Sequence, residues 1–456
     1  MELFNSAFVW FLDKRFRQIE RARDYPHETQ QLQFRQLIDT ARDTEWGRRY
    51  GYADIGTPAD FRARVPVSNY EELFPYLDRV RRGEPNVLWP SKARWFARSS
   101  GTTNARSKFI PVTPESLEEC HFRGGKDMMT LYVHNRPETR VFKGKGLSIG
   151  GALSDNELAP GTRYGDVSAV IMHNLPLWAQ VIRTPSLETA LMSDWEAKIE
   201  RMARETSQEN VTSIAGVPTW TIVLIERILQ LTGKANILEV WPNLELFIHG
   251  AVSFAPYRPL FRRLVPAPHM SYLECYNASE GFFALQDDLS RPDEMLLMLD
   301  YGIYYEFIPA ERVGEPDPPV LSLDQVEAGR NYALVISTNS GLWRYQVGDT
   351  VRFTSTNPYR VRVSGRTKHF INAFGEEVIV ENAEAAVAEA CARTGAVVGD
   401  YTAAPVYLSD GADDRRGGHE WLVEFEQPPA DLAAFKRALD EKLRAVNSDY
   451  DAKRAG

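Results

Sequence analysis

Short apolar runs closed by Gly, Pro or Asn alternate with amphipathic stretches through the middle of this chain, and that alternation constrains the fold most. The runs at 211–214, 244–248, 270–273 and 333–337 read as buried strands. Residues 193–205 and 220–231 carry helical periodicity, the first opening with Ser193 and Asp194 as capping candidates. Helices between such strands favour an α/β sheet over an all-β sandwich. Ahead of this region, residues 1–50 read as helical with a break at Tyr25-Pro26, residues 61–89 as polar helix and loop, and the segments around Trp95 and Leu147 as strands. The proline-rich, acidic stretch 304–324 reads as a surface excursion. A domain boundary is expected near Gly365-Arg366. Beyond it a helix (381–393), two strands (406–408 and 422–426) and a helix (432–446) predict a small α+β C-terminal domain.

Composition removes several function classes. A chain of 456 residues with 43% hydrophobic and 25% charged residues has room for a large core and more than one domain. Its net charge of −9 argues against a nucleic-acid partner, which needs a basic footprint. The apolar positions between Phe4 and Leu12 lack a basic leader and a cleavage site, so no signal peptide is read, and no run is long enough to span a bilayer. Three scattered cysteines, Cys120, Cys275 and Cys391, suit a reducing cytoplasm, and the eight histidines form no metal-ligand motif.

Four segments carry the residue types that nucleotide chemistry requires. Ser99-Ser100-Gly101-Thr102-Thr103 leads to Lys108, supplying hydroxyls, a permissive glycine and a cation, the donors that phosphate oxygens need. The loop does not match the commonest phosphate-loop template, and taken alone an ordinary polar turn is the competing reading. Gly250-Ala251 and Tyr276-Asn277-Ala278-Ser279-Glu280 each follow a strand candidate, where open α/β sheets bind ligands. Tyr276 offers a face to a base, Ser279 a donor to phosphate, and Glu280 a carboxylate to Mg²⁺; a core tyrosine and a turn-capping glutamate are the bland alternative. In Trp343-Arg344-Tyr345-Gln346-Val347-Gly348-Asp349, Asp349 offers a carboxylate to ribose hydroxyls or closes an Asx turn. Arg366 adds a cation at the domain joint.

In order along the chain, SSGTT with Lys108, HGAVS, YNASEG, YQVGD and SGRTK…INAFGEEV resemble the motifs of the adenylate-forming superfamily. More narrowly, FRARVPVSNY, SSGTTNARSKFIPVT and WRYQVGD resemble the auxin-responsive (Gretchen Hagen) family of acyl acid-amido synthetases, with a bacterial member expected. The resemblance implies a large N-terminal adenylate-forming domain of β-sheets and packed helices (1–365), a hinge (366–368) and a small mobile C-terminal domain (369–456). It implies ATP and Mg²⁺, with Ser99, Ser100, Gly101, Thr102, Thr103 and Lys108 gripping phosphate. Gly250, Ala251 and Tyr276 then flank adenine, Ser279 serves phosphate, Glu280 the metal, Asp349 the ribose and Arg366 the nucleotide; Lys108, Glu280 and Arg366 are the catalytic set. One departure stands out, because the lysine motif ending Pro-Arg that family members carry near the C-terminus is missing and the domain is expected to be truncated; Lys453 is not assigned that role.

The activity implied is formation of an acyl-AMP from a carboxylic acid, followed by transfer to the amine of an amino acid. A coenzyme A ligase and a catalytically impaired nucleotide-binding protein are the alternatives. Arg123 or Lys126 is expected to pair the substrate carboxylate, and Val217 and Trp220 to line the acyl pocket, although tryptophan at such a position is more often core. A monomer or weak dimer in the cytoplasm, with no membrane partner, completes the expectation. Gly146-Leu147-Ser148-Ile149-Gly150 matches a hydrolase nucleophile elbow in letters only, since a loop rather than a helix is expected after it.

Overall fold

The computed structural model describes residues 2–99, 107–250, 254, 258–292, 294–367, 370–371, 376, 378–406 and 418–455. It divides into two compact units. Met1–Arg98, Phe109–Ala251 and Arg258–Thr367 form the larger, and Ser99–Lys108, Val252–Tyr257 and Lys368–Gly456 the smaller.

Four strands make a first sheet: β1 (Trp95–Ser99), β2 (Lys108–Val112), β4 (Leu153–Asp155) and β5 (Arg163–Gly165), in the order β2-β1-β5-β4. Eleven strands make a second. These are β3 (Lys145–Ser148), β6 (Arg183–Thr184), β7 (Val211–Ala215), β8 (Leu246–Gly250), β9 (Ser271–Ala278), β10 (Gly281–Leu285), β11 (Met295–Leu297), β12 (Ile303–Pro309), β13 (Asn331–Thr338), β14 (Tyr345–Thr356) and β15 (Tyr359–Arg366). Their order is β12-β13-β14-β15-β11-β10-β9-β8-β7-β3-β6. From β6 to β9 neighbouring strands run parallel, and from β9 to β12 antiparallel. The change falls at β9 because its exit is a tight hairpin, whereas β7 is followed by the crossover helix Pro218–Thr232.

The expected helix 193–205 runs Trp195–Thr206, and of its two candidate caps Asp194 is the one used, its Oδ1 accepting from Ala197 N at 2.9 Å. The segment 304–324 differs from expectation. Its first part is β12, buried at every position, and the surface portion begins only after Pro309. Glu306 is what makes that strand look polar in sequence. Its carboxylate is buried as an ion pair with Arg344, Nε to Oε2 2.8 Å. The N-terminal helix Pro26–Ala41 is tied to the same region by Gln30, whose amide donates to Leu299 O and Ile303 O and accepts from Tyr305 N at 2.9 to 3.0 Å.

The smaller unit contains β16 (Phe370–Ile371) paired with β17 (Val378–Ile379), and β18 (Val397–Val406) paired with β19 (Gly418–Gln427). Helices Val380–Thr394 and Leu432–Val446 bury Ala386, Ala390, Phe435, Ala438 and Leu443 in a core of its own. The helix-strand-strand-helix order matches the sequence reading, but the first of its strands runs Val397–Val406 rather than 406–408, and a last helix Ser448–Ala455 is added. Among the described residues no helix is long and apolar enough to cross a membrane.

Candidate active site

The carboxyl ends of the parallel strands set the edge on which the candidate residues gather. β8 ends at Gly250, where a Cβ would lie 2.3 Å from Cys275 O. That contact explains the glycine by close approach of β8 to β9, whatever else it does. β9 ends at Ala278, which pairs with Gly281, so Ser279 and Glu280 form a two-residue turn into β10. A carboxylate at a hairpin tip is ordinarily solvated. Glu280 is 8% exposed, and burying a charge there costs free energy that an ordinary turn has no reason to spend.

β14 brings the second group. Tyr345 is fully buried, and its hydroxyl lies 3.5 Å from Glu280 Oε1; burial first, and then the charge of Glu280, holds the phenol well above its ordinary pKa, so it stays protonated as a donor. Four residues on, Asp349 accepts from the hydroxyl of Tyr276 at 2.5 Å. Both are buried, so this charge-assisted bond joins the end of β9 to β14 across the interior. Asp349 lies in β14 opposite Arg366 of β15, within an irregular stretch of the strand, and its carboxylate is engaged by Tyr276. Gly348 holds φ +100°, and its carbonyl accepts from Thr367 N at 2.8 Å, which fixes the backbone beside Asp349. The remaining letters of the WRYQVGD segment are structural. Trp343 packs in the core against Tyr52, with ring centroids 5.1 Å apart, and Arg344 holds Glu306.

Of the expected phosphate loop the structure describes only the flanks. Ser99 ends β1, half-buried, and Lys108 opens β2, buried. Ser100, Gly101, Thr102, Thr103 and Ala251 lie outside the described residues, as does the side chain of Arg366. Ser279 is half-buried in the β9–β10 turn. Sequence reasoning passed over Tyr345 as a partner of Glu280, and Tyr70, whose hydroxyl accepts from Phe109 N at 2.9 Å next to Lys108. The signal for Tyr345 was present, since in strand periodicity it shares a face with Asp349 after the turn of Gly348 is allowed for.

The residues expected to serve the substrate have the following surroundings. Arg123 has a built carboxylate neighbour, its Nη1 donating to Asp300 O at 2.5 Å and lying 3.8 Å from Asp300 Oδ2. Lys126 stands half-buried on the same helix, Arg123–Asn135, with Asp127, Arg15, Arg123 and Lys14 as its charged surroundings, and burial lowers its pKa. Both belong to a buried ionic cluster in which Arg15 binds Asp127 and Asp300, each at 2.7 Å, and Tyr301 donates to Asp127 at 2.7 Å. Trp220 lies with its ring centroid 5.1 Å from that of Trp195, between two helices. Val217 sits at the carboxyl end of β7, its carbonyl accepting from Thr221 N. The thiols of Cys120 and Cys275 are pushed up to about 12 by burial and are free, so no thiolate is available for covalent catalysis there.

Comparison with known proteins decides the family. Models of the GH3 family N-terminal, central and C-terminal domains match residues 15–270, 296–366 and 381–456. The chain belongs to the GH3 family. A putative indole-3-acetic acid-amido synthetase, GH3.9 of Arabidopsis thaliana, is 23% identical over 75% of this chain and 70% of its own. The Arabidopsis indole-3-acetic acid-amido synthetase GH3.3 is 23% identical over 70% and 63%. Among solved structures, the GH3.15 acyl acid amido synthetase superposes with a TM-score of 0.64 at 18% identity, covering 91% of this chain and 82% of that one. A 2-hydroxyisobutyryl-CoA ligase does so with 0.58 at 15%, covering 91% and 83%. The GH3-family chain thus shares its fold with these structures, with a large α/β unit and a smaller α+β one.

Proposed function

We propose that this GH3-family protein is an ATP-dependent acyl acid-amido synthetase, which converts a carboxylic acid to its acyl-adenylate and passes the acyl group to the amine of an amino acid. The observation that carries the reading is the pair of buried carboxylates, Glu280 and Asp349, held at one sheet edge by Tyr345 and Tyr276. Their environments separate their roles. Asp349, whose carboxylate accepts from the phenol of Tyr276, is assigned to the two ribose hydroxyls, and Glu280, at the hairpin tip, to the metal.

The donor set fits Mg²⁺ rather than a metal caged by protein. Among the described residues no group of three or more His, Cys, Asp or Glu could hold an ion, whereas Mg²⁺ takes one or two carboxylates and completes its shell with phosphate and water. When bound, it would neutralise charge on the transferring phosphoryl group. The chain's own residues do the rest. Tyr276 presents its ring to adenine and its hydroxyl to Asp349. Ser99, Ser100, Gly101, Thr102, Thr103 and Lys108 would donate to the triphosphate while a carboxylate oxygen of the acid attacks the α-phosphorus and pyrophosphate departs. Charge grows on phosphoryl oxygens in that step, so preoriented donors lower its barrier. The amine then attacks the acyl carbon and AMP leaves. Arg366 and the 366–368 hinge, with movement of the 369–456 domain between half-reactions, belong to the same proposal.

Amide formation is preferred to thioester formation because the sequence relatives are named amido synthetases, while the coenzyme A ligase is alike in fold alone. ATP–pyrophosphate exchange over aromatic, indolic, jasmonate-like and fatty acids, followed by amide formation with each amino acid, tests the reading. Acid-dependent exchange with no amide product would refute the second half, and no exchange with any acid would refute both.

A further inference from the structure

Between the residues expected to grip phosphate and the helix Arg123–Asn135, the chain makes a π-helical turn, Leu117–Phe122. Turns of this kind widen a helix by one residue and recur where a side chain is aimed at a site. Of its buried residues Leu117, Cys120 and His121, the polar one is His121, 3% exposed, beside the side chain of Asn277 in the YNASEG segment. Burial drives the imidazole down to about 4, so it is neutral at physiological pH. The two side chains lie within reach of one another, and Asn277 partly offsets the lowering by burial, but the contact is not a well-aligned hydrogen bond. His121 Nδ1 and Asn277 Oδ1 are both buried and without a hydrogen-bond partner among the described residues.

The surroundings place this niche at the candidate active site. Asn277 directly follows Tyr276 and stands three residues before Glu280 at the carboxyl end of β9. Strand alternation turns it to the face opposite Tyr276, away from the adenine expected there. One helical turn beyond His121, a Cβ on Gly125 would meet nothing within 4 Å, whereas at Gly124 it would strike the ring of Phe282. A third buried oxygen without a partner, Thr219 Oγ1, occupies the first turn after β7, on the same carboxyl edge of the parallel strands.

Resting on the adenylation reading above, we infer that His121 and Asn277 form the specificity pair of the acyl pocket and select a carboxylic acid bearing a neutral hydroxyl group. A hydroxyl matches both atoms, because it donates to the amide oxygen of Asn277 while its own oxygen accepts from the Nδ1–H tautomer of His121. An apolar acid of equal size leaves both atoms buried and unpaired, which is how a polar pocket rejects the analogue lacking the group. A charged substituent is disfavoured because the imidazole is neutral and the site is buried.

The test uses ATP–pyrophosphate exchange with the full chain on matched acids: benzoates and phenylacetates carrying a hydroxyl at the ortho, meta or para position, each against its methyl counterpart. The wild type is expected to favour the hydroxylated member at one or more ring positions by about 10-fold or more in kcat/KM. The double variant His121→Phe, Asn277→Leu should bring that ratio within about 2-fold through loss on the hydroxylated acid. Because His121 Nδ1 and Asn277 Oδ1 are buried without a well-aligned partner, His121→Phe should keep or raise the thermal midpoint, whereas a purely structural histidine would lower it. Equal use of hydroxylated and methylated acids at all positions, a selective double variant, or a lowered midpoint in His121→Phe each overturns the pair's role and leaves the adenylation reading standing. Absence of exchange with every acid sinks the adenylation reading, and this inference with it.

Discussion

The bond between Tyr276 and Asp349 makes a sharp prediction, because Tyr276→Phe removes one hydroxyl and preserves the ring. The hydroxyl donates to Asp349 Oδ2 at 2.5 Å, and both residues are buried. Hydrogen bonds to charged groups contribute about 1.5 to 3 kcal/mol, and removing the donor leaves a buried carboxylate short of one partner. The cost should divide between two observables. The folded state loses part of it, seen as a lower urea midpoint at unchanged slope. The rest appears in ATP recognition, because Asp349 must now be oriented for ribose without its phenolic anchor. A loss of about 1.4 kcal/mol there is a 10-fold rise in the KM for ATP. The KM for the acid should hold, since the ring proposed to face adenine is intact and the acid is proposed to lie on the opposite face of β9. Initial-rate pyrophosphate exchange with ATP and acid varied separately reads both. A Phe variant with wild-type KM for ATP and a wild-type urea midpoint would refute the coupling of Tyr276 to Asp349, and an equal rise in both KM values would refute its assignment to the nucleotide side.

Three further substitutions and one titration follow from the same geometry. Glu280→Gln keeps the shape and removes the charge, so exchange at saturating ATP should fall by about 100-fold and the Mg²⁺ concentration for half-maximal rate should rise; an unchanged Mg²⁺ titration would dismiss Glu280 as the metal carboxylate. Arg344→Met strands the buried carboxylate of Glu306, and a loss of about 3 to 5 kcal/mol is expected in chemical denaturation, where a change under 1 kcal/mol would show the ion pair to be dispensable. Gly250→Ala pushes a methyl group to 2.3 Å from Cys275 O, so the variant should be destabilised and lose exchange together. Stability should fall as pH drops from about 6.5 towards 4, because the folded state holds His121 near 4 while the unfolded chain protonates at the ordinary value. The unfolded state binds more protons across that window, so the contribution of roughly 3 kcal/mol is complete above pH 6.5 and is lost on acidification. His121→Phe should flatten that part of the profile, and an identical profile in the variant would contradict it.

Sequence periodicity recovered the parallel strands β3, β7, β8 and the start of β9 and the helices Trp195–Thr206 and Pro218–Thr232, passed over the helix Arg123–Asn135 and the antiparallel strands β10, β11 and β15, and failed where a pairing elsewhere in the chain overrides local character. β12 is the clear instance. Pro309, Glu306 and the acidic stretch beyond it look like surface, yet Arg344, thirty-eight residues later, neutralises Glu306 and allows seven consecutive residues to be buried. The candidate site divides in the same way. Glu280 and Asp349 were visible as residues, each in a motif of recognisable order, but nothing local in either motif says that Tyr345 serves Glu280 and Tyr276 serves Asp349. Each acid is oriented by a tyrosine from the other's motif. The surroundings of Arg123 were hidden for a related reason, since nothing local to its helix says that Asp300 lies beside it.

That crossed arrangement has a consequence for how the two motifs can vary. A charge-assisted bond between buried partners and a protonated phenol beside a buried carboxylate both act through the sheet, because β9 with its turn carries Tyr276 and Glu280 while β14 carries Asp349 and Tyr345. Moving either strand by one residue would reverse which side chains face inward and break both links at once. The bulges in β14 against β13 and β15, together with Gly348 at φ +100°, are where its register is set. If nucleotide binding depends on this crossing, Tyr276→Phe and Glu280→Gln should be non-additive in exchange, since each loosens the frame that the other uses. Strict additivity of their free-energy effects would mean that the two carboxylates are held independently and that the crossing is incidental.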